Sequence, residues 1–298
     1  MFIELVQDYL LPVLFFTGLL AGTIDAIAGG GGLISLPVLM GVGVPPHIAL
    51  GTNKLQGLFG TASAAYSYYK KGLLRKQGLF IGIAYSFAGA ITGAIISQLV
   101  SSDFLKKIIP ILLLLVLLYT FLSPKLGTQE SKPKLNEKWF YLIFGTLLGF
   151  YDGFLGPGVG SFWVIALVIF LGHNLLRATA YTKVFNFNTN AAAVICFALG
   201  NHIDYKLALV MAMGQLIGGR LGAYFTIKKG VRLIRPVFLF VVSATISTLI
   251  YRNYSQSNDF LSFIQQPKLI FISLLVMTSF LIIYIRILLK RRKALLQK

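Results

Sequence analysis

The sequence predicts an all-α polytopic membrane protein: two inverted-topology repeats of about five segments each, with glycine-broken helices, plus one C-terminal transmembrane helix. Three observations predict it. The 298 residues are 56% hydrophobic and only 12% charged, with a mean hydropathy of +0.79; a soluble domain carries about 25% charged residues. Apolar stretches of about twenty residues recur along the chain, the length that crosses a hydrocarbon core. One pattern, an aspartate, a glycine-rich break and a lysine within an apolar helix, occurs twice. It reads Asp25, Gly29-Gly30-Gly31-Gly32 and Lys54, then Asp152, Gly156-Pro157-Gly158-Val159-Gly160 and Lys183.

Turn and charge signals divide the apolar runs into segments at 9–28, 32–43, 46–69, 78–100, 104–123, 139–155, 160–171, 174–199, 205–227, 231–251 and 268–289. Segments 32–43 and 160–171 are short for a crossing. Each follows a glycine break, which interrupts a helix. Asp25 and Gly29 recur at an offset of 127, and Lys54 and the Gly89–Gly93 motif at 129. Residues 1–124 and 139–252 therefore read as the two repeats, 125–138 as a cytoplasmic linker, and 253–298 as the added helix with a basic cytoplasmic tail. Gly89-x-x-x-Gly93 and Gly218-x-x-x-Gly222 read as close-packing faces. Met1–Asp8 lacks the basic region of a cleavable signal peptide, so the first helix is expected to be retained. The lone Cys196, in an apolar run, has no intrachain partner and reads as buried packing.

The net charge of +18 lies mostly in short loops and the tail. The positive-inside rule explains that placement without nucleic acid, and anionic lipid headgroups are the expected partners. In the first half the basic loop, Lys70-Lys71 with Arg75-Lys76, follows the third segment. In the second half it follows the fourth, at Lys228-Lys229, Arg232 and Arg235. Placing both in the cytoplasm makes the halves run in opposite senses with five crossings each. The N-terminus then lies outside, and the linker and the tail Lys290-Arg291-Arg292-Lys293 inside. If the short segments are re-entrant, each half crosses four times, and 228–235 and the tail fall outside, against the rule.

Lys54 and Lys183 lie eight residues after Pro46 and nine after Asn174, about 12–14 Å along their helices at ~1.5 Å per residue. Half a hydrocarbon core is about 15 Å. Charge at that depth is costly and is kept for function or for a partner. Inverted repeats bring the two ammonium groups to the midplane from opposite faces, where they can clamp a small oxyanion. The structural alternative pairs each lysine with the aspartate of its own half, Asp25 or Asp152, as an internal strut. These are the only acidic residues inside the expected segments. With Arg220 the interior holds three cations against two anions, which favours an anionic solute; alternatively Arg220 snorkels to the interface.

The neighbours Thr52, Asn53, Gln56, Thr182 and Asn186 are candidate substrate contacts, because residues three apart on a helix share a face. Asn188 and Asn190 fit interhelical hydrogen bonding equally well, and Gln215 is a weaker candidate of the same kind. The backbones of Gly30, Gly31, Gly32, Gly158 and Gly160 are candidates too. Helices that start after the breaks direct free N–H groups and a positive dipole end at what precedes them. Among the sequence motifs there is no nucleophile–base arrangement, no metal-ligand cluster and no nucleotide-binding loop. The expectation is no enzyme, no cofactor, no metal and no nucleotide, with a homodimer left open.

The stretch Gly18-Leu-Leu-Ala-Gly22-Thr-Ile-Asp25-Ala-Ile-Ala-Gly29-Gly-Gly-Gly32-Leu-Ile-Ser-Leu-Pro37, followed by Ala49-Leu-Gly51-Thr52-Asn53-Lys54, resembles the TauE/SafE family of sulfite and organosulfonate permeases. The echo Gly149-Phe-Tyr-Asp152 through Gly160, with Ala180-Tyr-Thr182-Lys183, fits as well, and the resemblance covers roughly 10–250. It implies transport of small sulfur-containing anions such as sulfite, thiosulfate, sulfonates or sulfoacetate, usually across a bacterial inner membrane, without specifying which. Two departures stand out: the extra C-terminal helix, and Pro157 in place of a glycine run, which leaves the half-sites free to differ. The expected mechanism is alternating access by rocking of the repeats, with Asp25 and Asp152 coupling transport to protons by releasing or recapturing the lysines. A passive anion channel and a non-transport membrane assembly protein are the competing readings.

Overall fold

The computed structural model describes residues 2–74, 78–105 and 130–229, with side chains from residue 10 to residue 228. The first half supplies α1 (Phe2–Ala28), α2 (Gly32–Gly41), α3 (Pro46–Lys70) and α4 (Leu79–Leu99). In the second half α5 (Glu137–Phe140) runs through a π-helical turn at Tyr141–Gly145 into α6 (Thr146–Phe154). It is followed by α7 (Val159–Leu171), α8 (Leu175–Leu199) and α9 (Tyr205–Lys229). Every regular element among the described residues is helical, at the positions the apolar runs predict. The π-helical turn leaves no mark in hydrophobic periodicity. The expected segments at 231–251 and 268–289, most of 104–123, and the tail lie outside the described residues.

Helix ends follow local chemistry. Gly43 (φ +94°) ends the turn after α2, and Pro46 occupies the first position of α3, where a missing N–H costs nothing. Asn174 caps α8 by accepting from Arg177 N at 2.9 Å.

The distribution of polarity is that of a protein in lipid. Large apolar side chains such as Phe16, Leu20, Phe80, Leu147, Leu209 and Met213 are exposed, whereas Thr52, Lys54, Gln56, Thr182, Lys183 and Thr189 are buried. Water would drive the reverse arrangement; a hydrocarbon surround favours this one. Leu10–Ala28, Leu79–Leu99 and Tyr205–Lys228 are long and apolar enough to span a bilayer. Helices α3 and α8, of 25 residues each, are about 37 Å long and are less apolar because they carry the polar centre.

Close contacts give the helix directions. Along α1, Gly18, Gly22 and Thr23 meet Met211, Gln215 and Gly222 of α9, so the two helices run in parallel. Tyr85, Ser86 and Ala90 of α4 meet Gly145, Gly149 and Gly153 of the α6 strip, again in parallel. Gly60 of α3 touches Gln215 and Gly219, and Ala64 and Tyr68 cluster with Ala223 and Ile227, which aligns α3 with α9. Gly82 meets Phe185, Gly200 meets Gln98, and Asn188 donates to Ile83 O at 2.8 Å, which aligns α4 with α8. Helices α3 and α8 oppose each other: Gly51 packs on Phe197 and Gly57 on Asn190.

The described helices thus form two mixed bundles, α1–α3–α9 in one direction and α4–α6–α8 in the other, joined where α3 crosses α8. The most extensive pairings lie between the two sequence halves. The fourth helix of each half packs on the first helix of the other, through the Gly218–Gly222 face on α1 and the Gly89–Gly93 face on α6, as expected of close-packing motifs. Lipid chains offer no hydrophobic drive for helix association, so approach at glycine supplies the packing. The short helices anchor two apolar clusters. Leu36 and Leu39 of α2 cluster with Leu14, Leu50 and Phe197; Val159, Trp163 and Leu167 of α7 cluster with Tyr141, Tyr181 and Phe185. Cys196 sits beside the first cluster, only partly buried.

Candidate functional site

Both glycine breaks adopt backbone that side-chain-bearing residues avoid: φ is +72° at Gly29, +91° at Gly156 and +78° at Gly158. In the first break Gly30 N and Gly31 N donate to Asp25 Oδ1 at 3.0 and 3.3 Å. Two of the backbone donors that the sequence offers to a solute, those of Gly30 and Gly31, are therefore engaged by the aspartate four residues before the break. The breaks also touch. A Cβ on Gly29 would collide with Gly160, and Ser161 Oγ donates to Ala28 O at 3.1 Å.

Each lysine is the ninth residue of its 25-residue helix, and α3 and α8 run in opposite directions, so the two enter the centre from opposite ends. The expected alternative of pairing within a half is overturned: the pairs are crossed. Lys54 Nζ donates to Asp152 Oδ1 at 2.5 Å, and Lys183 Nζ to Asp25 Oδ2 at 3.0 Å. The cause is the exchange of helices: α6 brings Asp152 beside α3, and α1 brings Asp25 toward α8. Both pairs bridge the two mixed bundles. Side-chain exposure is 2% and 4% for Lys54 and Asp152, and 0% and 15% for Lys183 and Asp25, so Asp25 alone keeps appreciable accessibility.

The half-sites differ as the Pro157 departure allows. Asp25 takes two backbone donors from its glycine break. At the offset of 127, Pro157 stands where the first half has Gly30, and proline has no N–H to give. Asp152 instead accepts from the Thr189 hydroxyl and from Lys54, which also donates to the Asp152 carbonyl. At the offset of 129 the first half has Gly60 in the place of Thr189. The missing backbone donor and the added hydroxyl compensate one another.

A cavity of about 40 Å³ lies between the bundles. At about 10–15 Å³ for one water, it has room for a few heavy atoms. Of the expected contacts, Lys54, Asn53, Asn186, Gly31 and Gly32 line it, together with Asp25 and Asp152. Lys183 stands behind Asp25, outside the lining. Thr52 Oγ1 accepts from Asp204 N at 3.0 Å, and Thr182 Oγ1 donates to Ala178 O at 2.9 Å. Gln56 Nε2 donates to Asn53 Oδ1 at 2.8 Å, holding Asn53 with help from Ser35 Oγ at 2.5 Å. Gly30, Gly158 and Gly160 lie off the lining and shape the breaks. Arg220 is exposed, so the surplus cation of the sequence count is not at this centre.

Gly57, Thr61, Asn190 and Gln215 also line the cavity. Asn190, seven residues after Lys183 and about two turns along the same helix, takes the solute-facing one of its two sequence readings. Asn188 makes the interhelical bonds expected of it, to Ile83 O and to Ser86 Oγ at 3.0 Å. Thr189 carries no sequence signal of its role. Among the described residues no group of three or more His, Cys, Asp or Glu side chains is placed to hold a metal.

Exposed apolar helices around a buried, ion-paired polar centre are the arrangement of a helical integral membrane protein. The chain belongs to the TauE/SafE family: the family model described as "Sulfite exporter TauE/SafE" matches residues 14–249. It is 40% identical over 252 residues to "Probable membrane transporter protein YfcA" of Escherichia coli K12, covering 85% of this chain and 94% of that one. A "Probable membrane transporter protein" of Haemophilus influenzae is 40% identical over 242 residues, 81% and 95% of the two chains. "Probable membrane transporter protein YdhB" of Bacillus subtilis is 27% identical over 219 residues, 72% and 88%. These relatives carry the names of transporters, not enzymes. No solved structure matches the chain.

Proposed function

We propose that this protein is a secondary transporter that moves small sulfur-containing anions, such as sulfite, thiosulfate or sulfonates, across a bacterial inner membrane by alternating access. The observation that carries the reading is the crossed pair of Lys–Asp bridges at a small cavity between two bundles. A carrier needs a solute site at the seam of two bodies that move relative to each other, and both bridges span that seam. The seam runs between the mixed bundles, not between the sequence halves, so the moving bodies are α1–α3–α9 and α4–α6–α8. The family's printed description supports the substrate class. Opposed directions of corresponding helices (α1 against α6, α3 against α8, α4 against α9) support inverted repeats; the cytoplasmic side of the basic loops and tail rests on the positive-inside rule.

In this mechanism the substrate's negative charge competes with Asp152 for Lys54, and freed carboxylates take up protons. Lys183 acts through Asp25, the accessible member of its pair. The test is uptake of labelled sulfite, thiosulfate, sulfate, taurine and sulfoacetate into proteoliposomes under set pH gradients. Saturable, gradient-driven flux of sulfur oxyanions is the expected result. Unsaturable flux without proton coupling or counter-flow selects a channel, and no flux of any solute selects a non-transport membrane role.

A further inference from the structure

Resting on the anion-carrier reading and narrowing its substrate class, we infer that the cavity takes sulfite in its protonated hydrogen-sulfite form, with a single negative charge and one O–H donor, and discriminates against dianions, deprotonated sulfite and thiosulfate included. The centre offers no unpaired cation: among the described residues Lys54 is matched by Asp152 and Lys183 by Asp25. A dianion is matched only if both Asp25 and Asp152 take up protons, and any charge left unmatched in a small, mostly buried space is costly. A monoanion needs only one of those protonations.

The hydrogen-bond inventory points the same way. Asn186 is 4% exposed and lines the cavity, yet its Oδ1 is buried with no donor reaching it. Its Nδ2 end lies against Gly160. A buried acceptor left without a donor is rare and calls for a partner. A fully deprotonated oxyanion has only acceptors, whereas a protonated one has the donor that Asn186 Oδ1 lacks and meets it once that side chain turns toward the cavity. Donors for the solute's remaining oxygens are also present. An ammonium has three N–H groups, and Asp152 takes two of those of Lys54. Asn53 Oδ1 already accepts from Ser35 and Gln56, so its amide N–H groups are its available face.

The test uses the full chain in liposomes, with half-saturating total sulfite measured from below to above the pH at which sulfite loses its last proton. Sulfate serves as a permanent dianion and methanesulfonate as a permanent monoanion. Above that pH the half-saturating concentration of total sulfite is expected to rise about tenfold per pH unit, as the competent fraction falls. Methanesulfonate should stay flat, and sulfate should compete more than about 100-fold less well than sulfite at low pH. In folded Asn186→Leu the sulfite-to-sulfate ratio should move toward one.

A pH-independent sulfite affinity, sulfate competing equally, or methanesulfonate shifting in step with sulfite overturns the inference while leaving an anion carrier in place. An unchanged ratio in folded Asn186→Leu overturns the role given to Asn186. Absence of binding and flux for all three anions at every pH removes the carrier reading and this inference together.

Discussion

Lys54 donates to Asp152 at 2.5 Å across the seam between the two bundles, so the lysine of one half is neutralised by the aspartate of the other. Lys183 and Asp25 repeat the relationship in the opposite sense. Two independent struts would leave the halves separable; crossed struts tie the resting position of each bundle to the charge state of the centre.

Lys54→Ala leaves the Asp152 carboxylate buried without its cation, a change that costs about 3–5 kcal/mol when a buried pair loses one member. The expected outcome is an inserted protein of lower Tm with no measurable anion flux. Lys54→Met with Asp152→Leu removes both charges and should regain most of the Tm without regaining flux. Near-normal flux from Lys54→Ala and from Lys183→Ala would remove these lysines from the mechanism.

The crossed pairing is measurable by double-mutant cycles on reversible denaturation in mixed micelles. Lys54→Gln with Asp152→Asn, and Lys183→Gln with Asp25→Asn, should each show coupling within the range of about 0.5–3 kcal/mol found for contacting residues. Combining Lys54→Gln with Asp25→Asn should show less. Larger coupling within a half than across halves contradicts the geometry.

Thr189→Val takes from Asp152 the hydroxyl that replaces the backbone donor missing at Pro157. Loss of a donor to a buried acceptor costs about 1–3 kcal/mol, read as lower Tm and reduced flux. Pro157→Gly in that background restores an N–H where the first half has one and should recover part of both. A double variant no better than Thr189→Val alone counts against the compensation.

Gly93 meets the Phe150 carbonyl so closely that a Cβ there collides with backbone. Gly93→Ala and Gly218→Ala should each lose about 1–3 kcal/mol through overpacking. Leu99→Ala, at an 80% exposed position of the same helix as Gly93, should stay within about 0.5 kcal/mol. Equal Tm for all three would mean that the glycine faces are not contacts.

Inverted repeats place Asn201 and Lys71 on opposite sides of the membrane. In a Cys196→Ala background, Asn201→Cys should react with an impermeant maleimide from outside, and Lys71→Cys only after the membrane is opened. Labelling of both from one side rejects the opposed orientation.

The described helical segments and the inward placement of Asp25, Lys54, Asp152 and Lys183 were legible in the chain because they rest on local quantities: hydropathy over a helix length, glycine at positive φ, and a charge where lipid forbids it. Even the inequality of the half-sites was visible, since Pro157 interrupts a repeat that is otherwise kept. The partner of each lysine was not legible, because two aspartates and two lysines permit both matchings and sequence offset cannot choose between them. Nor could it choose between an inward and a snorkelling Arg220, or reveal that Thr189 stands in for a glycine N–H. Those outcomes belong to helix exchange, in which the first helix of each half finds its glycine-lined seat on the fourth helix of the other. Sequence alone determined which residues must be hidden from lipid; the tertiary structure decided which of them meet, because contact between distant helices is settled by packing and direction, not by spacing along the chain.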